Sequence, residues 1–299
     1  MSIKIVIRKA KTLVKVLVCW IVFPLYKRQG TPPILSIEET LKQVVSYQLS
    51  VTRFGDGEFL QLIGKDTGLQ KNDIRLQEKL KEAILNRNPR LLVCLVDFLD
   101  MNNKTRHGKM SFAFFYVRTY KHIKKYLDAG YQYGNANMTR FYIGSKDKSH
   151  CGRYFSLCKA IWEGADIVLF EGDKTRFGVG NNLFDNAKSV RRVLCPSKHA
   201  FMYYDQILAQ AKLVERNCLI LFSLGIAATV AASDLANEGF RVIDIGNLDV
   251  EYEWYQSGAN RKTAIEGKQV SEVTGGAKVE DIKDAVYLSQ IIAKIGIKG

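Results

Sequence analysis

The sequence predicts an α/β protein: a Rossmann-like, mostly parallel sheet with helices on both faces, preceded by an N-terminal helix. Three observations carry this. Short, mainly apolar runs of strand length recur at Leu49–Arg53, Leu91–Val96, Asp166–Phe170, Val190–Cys195, Cys218–Phe222 and Arg241–Ile245, as strands buried on both faces require. Helical stretches separate them, at Leu76–Leu85, Phe112–Leu127, Tyr154–Trp162, Tyr204–Leu213, Thr229–Asn237 and Val279–Ile295, and such alternation means parallel strands with crossover helices. Several strands also run into polar or glycine-rich turns, which is where open parallel sheets bind ligands.

Taken in order, residues 1–30 come first. They hold seven cations (Lys4, Arg8, Lys9, Lys11, Lys15, Lys27, Arg28) and no acid, half of the net charge of +14. Lys4, Arg8, Lys11 and Lys15 share one helical face. The apolar run Val16 to Tyr26 is 11 residues long, against about 20 for a helical span. It contains Pro24 and ends in Lys27-Arg28 rather than at a small-residue cleavage site. The reading is a basic amphipathic helix lying on an anionic membrane surface, on the cytoplasmic side. A helix docked on the protein's own core is the alternative. After Thr31-Pro32-Pro33, Ser36 and Glu39 form a capping box for a helix through Val45, and residues 31–299 read as one catalytic domain.

The 299 residues are 47% hydrophobic and 25% charged, with 5 Pro, which excludes disordered and low-complexity classes. Six cysteines without a Cys-x-x-Cys pair read as reduced thiols of a cytosolic protein. The cations beyond residue 30 are scattered and no nucleic-acid-binding motif accompanies them, so no nucleic-acid partner is expected.

Three segments offer chemistry. In Arg53-Phe54-Gly55-Asp56-Gly57-Glu58, an Asp-x-Glu turn after a strand offers two hard oxygen donors to a divalent cation, and Arg53 offers a fork to phosphate. An ordinary Asp-Gly surface turn is the plainer alternative. In Glu171–Asn182, Lys174, Arg176, Gly178 and Gly180 form a glycine-rich loop able to approach phosphates. The third glycine of a dinucleotide fingerprint is absent, Leu183 standing there, and no P-loop exists. In Asp244–Trp254, the carboxylates Asp249, Glu251 and Glu253 alternate and would share one face of an extended chain. They offer a general base beside the aromatic platforms Tyr252 and Trp254, or a solvated acidic edge.

With Arg191-Arg192-Val193-Leu194-Cys195-Pro196 and Thr139-Arg140-Phe141-Tyr142, these segments stand in the order found in a bacterial glycosyltransferase family. The chain, from about Glu38 to Lys268, resembles the glycosyltransferases of the D-type (GT-D) fold, long catalogued as a domain of unknown function. The resemblance implies a nucleotide-sugar donor and a Mn2+ or Mg2+ ion. It implies that Asp56 and Glu58 are the metal ligands. The donor pocket would draw on Arg53, Gly55, Arg140, Tyr142, Glu171, Arg176, Gly178, Gly180, Asn181 and Asn247. Two departures stand out: Gly225-Ile226-Ala227-Ala228-Thr229 replaces a Gly-Pro-Thr-Ala-Thr stretch, and Asn247 replaces a frequent His. Asn has no basic nitrogen, so Asp249 or Glu251 is the expected base.

The expected function is transfer of a hexose, glucose or galactose, from a UDP-sugar to a hydroxyl of a surface glycan. Capsule, exopolysaccharide or a glycoprotein would be the product, and the acceptor could be lipid-linked. A metal-dependent nucleotide-sugar or phosphate hydrolase and a non-catalytic membrane-tethered scaffold are the alternatives. Each cation near an anionic surface adds about 1 kcal/mol of attraction, weakened by salt. Removing residues 1–30 is therefore expected to abolish sedimentation with anionic vesicles at low salt while leaving a folded protein. Continued sedimentation of the truncated chain would refute the anchor.

Overall fold

The structure, a computed structural model, describes residues 30–297 apart from Phe98, Met101, Ala277 and Lys278, together with scattered positions before residue 30. The basic helix expected over residues 1–30 lies largely outside the described residues. Within them, residues 21–25 are helical and Phe23 meets the Tyr116 ring edge-on, centroids 5.9 Å apart. No helix among the described residues is long and apolar enough to cross a membrane.

In chain order the elements are α1 (Ile37–Ser46), β1 (Ser50–Phe54), α2 (Asp56–Leu62), α3 (Ile74–Leu85), β2 (Leu91–Leu95), α4 (Arg106–Ile123), β3 (Gly134–Asn135), α5 (Cys151–Ala160) and β4 (Asp166–Gly172). They continue with β5 (Ser189–Cys195), α6 (Tyr204–Lys212), β6 (Leu219–Ser223), α7 (Ile226–Asn237), β7 (Arg241–Asp244), α8 (Leu248–Gln256), α9 (Ala285–Gln290) and β8 (Ile291–Lys294). The described strands form one parallel sheet in the order β3-β2-β1-β7-β6-β4-β5-β8. The α/β, doubly covered architecture read from the sequence is thus the architecture found.

Strand residues alternate between two cores, because successive side chains of a strand point to opposite faces. Val168 and Phe170 of β4 join Phe59, Leu80, Tyr116 and Val230 on the face covered by α2, α3, α4, α6 and α7. Ile167 and Leu169 join Leu41, Phe155, Trp162 and Trp254 on the face covered by α1, α5 and α8. The capping box of α1 is present: Ser36 Oγ accepts from the Glu39 amide at 3.1 Å, and the Ser36 amide donates to Glu39 Oε2 at 3.0 Å. The five described cysteines are buried and unbridged.

Three expectations need correction. Residues 279–295 are not one helix: coil leads into the short α9, capped by Asp284, and then into β8. The β-branched Ile291 and Ile292 favour extended chain, and β8 completes the sheet edge beside β5. Asp56-Gly57-Glu58 is not a free turn but the first turn of α2. Residues 248–256 are helical rather than extended, so Asp249, Glu251 and Glu253 do not share one face. On a helix Asp249 and Glu253, four apart, are neighbours and Glu251 points elsewhere.

Phe170 is fully buried and stacks on Phe222 with centroids 4.7 Å apart. Phe170→Ala is expected to lower unfolding stability by about 3–5 kcal/mol, read from the urea midpoint; a loss under 1 kcal/mol would place the core elsewhere.

Candidate functional site

The carboxyl ends of β1 and β7 meet where the strand order reverses, the position at which open sheets leave a crevice. Arg53, at the end of β1, reaches across to β7. Its Nε donates to the Asp244 carbonyl at 2.8 Å, its Nη2 to Asp244 Oδ1 at 2.7 Å, and its Nη1 to the Ala136 carbonyl at 3.2 Å. Asp244 is buried, and burial raises its carboxyl above the ordinary value despite the guanidinium. Gly246 is obligatory here: its φ is +52°, and a Cβ would stand 2.1 Å from Arg53 Nη2. Arg53, expected as a fork for phosphate, thus holds β1 to β7 through Nε and Nη2 and ties the turn at Ala136 to them through Nη1.

Beside this clamp, α2 begins. Gly55 is its N-cap, and Glu58 Oε2 accepts the Gly55 amide at 2.7 Å. Asp56, the first residue of the helix, is exposed and has no hydrogen-bond or ion-pair partner among the described residues. The Glu58 carboxyl is pushed up to about 7, by burial first and by the neighbouring Asp244 charge second. Two carboxyl groups, Asp56 and Glu58, therefore stand in the first turn of one helix. Among the described residues no cluster of three or more His, Cys, Asp or Glu side chains is placed to hold a metal.

A cleft of about 1920 Å³ opens over these strand ends. Arg53, Gly55, Asp56, Glu58, Arg140, Asn247, Asp249 and Glu251 line it, so the structure brings together eight of the residues singled out in the sequence. Tyr142, Glu171, Arg176, Gly178, Gly180 and Asn181 are not among its lining. Gly180 is exposed, and the other five bond within the protein. Glu171 is fully buried, pairing with Arg192 Nη1 at 2.6 Å and accepting the Phe177 amide at 2.7 Å. Arg176 donates to the carbonyls of Gly267, at 2.7 Å, and Glu280, and Lys174 to that of Val279 at 3.2 Å. The glycine-rich loop docks on α8 through Asp249 Oδ1, which accepts the Gly178 amide at 2.9 Å and Asn181 Nδ2 at 2.7 Å.

The two expected bases differ in how fully they are engaged. Both oxygens of Asp249 accept from Lys268 Nζ, at 2.9 and 2.8 Å, in addition to the loop. Glu251 uses Oε2 for the amides of Tyr142 and Ile143, at 2.7 and 2.9 Å. Burial raises both carboxyls above their ordinary values, against the pull of Lys268 on Asp249 and of Arg140 on Glu251. In the departing stretch after β6, Ile226 packs within 3.5 Å of where a Gly57 Cβ would stand. Thr229 Oγ1 donates to the Arg53 carbonyl at 3.1 Å, so this hydroxyl serves the clamp.

The structure adds residues that no motif marked. Lys268 joins Asp249 to Glu253, its Nζ 2.7 Å from Glu253 Oε1. Glu272 accepts from Arg140 Nη2 at 2.7 Å, from Asn247 Nδ2 at 3.1 Å, and from Lys262. Lys262, Lys268 and Glu272 lie in irregular chain after α8, where neither periodicity nor spacing carries a signal.

A parallel sheet whose switch point opens into a polar cleft defines a Rossmann-like ligand-binding domain. The family model described as "Glycosyltransferase GT-D fold" matches residues 51–273, and this chain belongs to that family. It is 35% identical over 265 residues to the probable glycosyl transferase Gly of Streptococcus gordonii, and 34% identical over 260 residues to glycosyltransferase GlyD of Streptococcus pneumoniae serotype 4. These alignments cover 88% and 87% of this chain but 39% and 32% of the relatives, so the chain spans about a third of their length. Among solved structures, a domain described as the highly conserved domain of unknown function 1792 with a distinct glycosyltransferase fold superposes with a TM-score of 0.87 at 36% identity, covering 92% of this chain and 99% of that one. A second, described as a new glycosyltransferase (DUF1792) from Streptococcus sanguinis, gives 0.85 at 33% identity, covering 89% and 100%.

Losing one partner of a buried ion pair leaves the other charge uncompensated. Asp244→Ala is accordingly expected to cost about 3–5 kcal/mol in urea unfolding. A near-neutral result would show that the clamp does not hold β1 to β7.

Proposed function

We propose that this chain is a metal-dependent glycosyltransferase that moves a hexose, glucose or galactose, from a UDP-sugar to a hydroxyl of a surface glycan. The observation that carries the reading is the unpartnered Asp56 beside Glu58 at the start of α2, inside the cleft. The donor set fits Mn2+ or Mg2+. Two carboxylates leave most of the coordination shell to phosphate oxygens and water, which is how such ions are held in phosphate-handling sites. Asp56 and Glu58 would hold the ion, which when bound supplies Lewis-acid stabilisation of the charge on the departing diphosphate.

The protein's own residues have distinct tasks in this reading. The Arg53–Asp244 clamp keeps the ends of β1 and β7 in register beneath the donor. Arg140 and Asn247, on the cleft wall, face the donor. Asp249, tied to Lys268 and the glycine-rich loop, keeps α8 in place. Glu251 is the acceptor-side base: its Oε1 has no hydrogen bond from the described residues, and its raised carboxyl suits proton uptake. The basic segment 1–30 would keep the enzyme peripheral on the inner face of the membrane, beside a glycan acceptor that can be lipid-linked.

Chelation is expected to abolish transfer, and Mn2+ to restore it more fully than Mg2+ or Ca2+, because Mn2+ accepts a mixed carboxylate, phosphate and water shell. Asp56→Asn should weaken metal-dependent UDP binding and collapse turnover with the fold intact; full activity of that variant with chelator present would overturn the metal assignment. Incubation with donor alone separates transfer from hydrolysis, since rapid release of free sugar without acceptor would favour a hydrolase. Glu251→Gln is expected to lower transfer by roughly 100-fold, the scale of general base catalysis, with UDP affinity nearly unchanged. Equal loss of UDP affinity would move Glu251 to the donor pocket.

A further inference from the structure

The irregular chain that follows α8 returns across the cleft as a strap. Its first part is well anchored. Trp254 Nε1 donates to the Thr263 carbonyl at 3.1 Å, Arg176 holds the Gly267 carbonyl, Lys268 sits between Asp249 and Glu253, and the Gln269 amide donates to the Lys174 carbonyl at 2.9 Å. Beyond these anchors the chain turns on itself. The Val270 amide donates to the Gly276 carbonyl at 2.8 Å, and the Gly276 amide to the Val273 carbonyl at 3.0 Å. Residues 270–276 are therefore a small loop closed at its base, with Glu272 near its tip.

The Glu272 carboxylate reaches back to the body of the protein. It takes Arg140 Nη2 and Asn247 Nδ2, and Lys262 from the strap itself. All four residues line the cleft. Burial alone would raise the Glu272 carboxyl, but Arg140 and Lys262 outweigh it and bring it down to about 2. Arg140, in turn, is raised above its ordinary value despite desolvation, by Glu272 first and then by Glu251 and Asp56. The cradle shares the cleft with the carboxylates expected to hold the metal.

A guanidinium, an ammonium and an amide N–H converging on one anion is a donor set that suits phosphate oxygens as well as a carboxylate. We propose that Arg140, Lys262 and Asn247 form an anion subsite for the donor's diphosphate, that Glu272 fills it in the free protein, and that the 270–276 loop releases it when the donor binds. The proposal rests on the nucleotide-diphosphate reading of the cleft, and it adds Lys262 as a donor contact and Glu272 as an internal competitor. A second effect acts in the same direction. With Glu272 in place, its charge adds to those of Asp56 and Glu58 against an incoming diphosphate; once displaced, it leaves two cations for the ligand. Donor binding and loop opening are then linked, since a ligand that must displace an internal group binds with an affinity reduced by the fraction of open protein.

The test is calorimetry of the full chain with Mn2+ present, titrating UDP and, separately, inorganic pyrophosphate. Glu272→Gln keeps the size of the side chain and removes the competing charge, so both ligands should bind about tenfold more tightly, the fold-change reporting the fraction of closed loop removed. Lys262→Met should weaken both. If Glu272 served instead to hold Arg140 in position, Glu272→Gln would weaken binding, and that result, like unchanged affinity, overturns the latch while leaving the donor reading standing. Failure of the unsubstituted chain to bind either ligand overturns the donor reading and the latch together.

Discussion

The Arg53–Asp244 pair is the interaction on which the rest of the site depends. The sheet consists of two runs, β3-β2-β1 and β7-β6-β4-β5-β8, and they meet at β1 and β7. Only one residue pair, Val51 with Ile243, is in ladder register at that seam, where β4 and β5 share seven. Side chains make up the difference. Ser50 Oγ donates to the Phe240 carbonyl at 3.2 Å and accepts the Val242 amide at 3.0 Å, Thr52 Oγ1 donates to the Thr229 carbonyl at 2.7 Å, and Arg53 closes the carboxyl end on Asp244. The seam has little backbone ladder of its own, and a buried ion pair ties its carboxyl end together beneath the cleft. Buried charge pairs are poor sources of net stability, because desolvation offsets most of the attraction. This one sets geometry: it places the start of α2 beside the turn after β7.

A similar economy governs the far wall. α8 begins immediately after β7, and its carboxylates serve as hydrogen-bond acceptors for three separate loops. Asp249 takes the Gly178–Asn181 loop, Glu251 takes the Tyr142–Ile143 amides, and Lys268 draws the strap onto Asp249 and Glu253. Loops without regular structure have backbone groups to satisfy and few apolar contacts to hold them. Gathering them on one acidic helix orders the wall without building it from secondary structure. Arg53, Asp244, Arg140, Lys262, Glu272 and Asp249 are thereby committed to ion pairs, whereas Asp56 is exposed and has no hydrogen-bond or ion-pair partner among the described residues. Glu272 extends the pattern to the strap's tip, where the bond is between two cleft walls.

The fold was legible because its determinants are local and periodic. Apolar runs of strand length, helical spacing between them and turn residues at strand ends each report on their own segment. Where such a signal was weak the reading failed: β3 is two residues long, and α9 with β8 looked like one helix because Ile291 and Ile295, four apart, fit helical spacing as well as a strand edge. The site was legible to the extent that its residues lie inside motifs. Arg53, Asp56, Glu58, Arg140, Asn247, Asp249 and Glu251 were marked and do meet in one cleft. Arg176, Gly178 and Asn181 were marked too, yet they brace the wall from behind, because a glycine-rich loop beside cations looks the same whether it meets a phosphate or another part of the chain.

The sequence by itself determined the layered α/β architecture, the cap of α1 and the segments from which the site is built, since each depends on neighbours a few residues apart. Tertiary structure decided what those segments do to one another. It turned an acidic run into a helix with Asp249 and Glu253 on one side and Glu251 on another, turned a candidate phosphate fork into a clamp between strands, and brought Lys262, Lys268 and Glu272 into the site from a stretch with no pattern of its own. The physical reason is the range of the interactions. Backbone periodicity and capping act over one turn of chain, whereas the charge that pairs with Arg53 or Arg140 is 191 or 132 residues away in sequence, and only the packed sheet determines which charge that is.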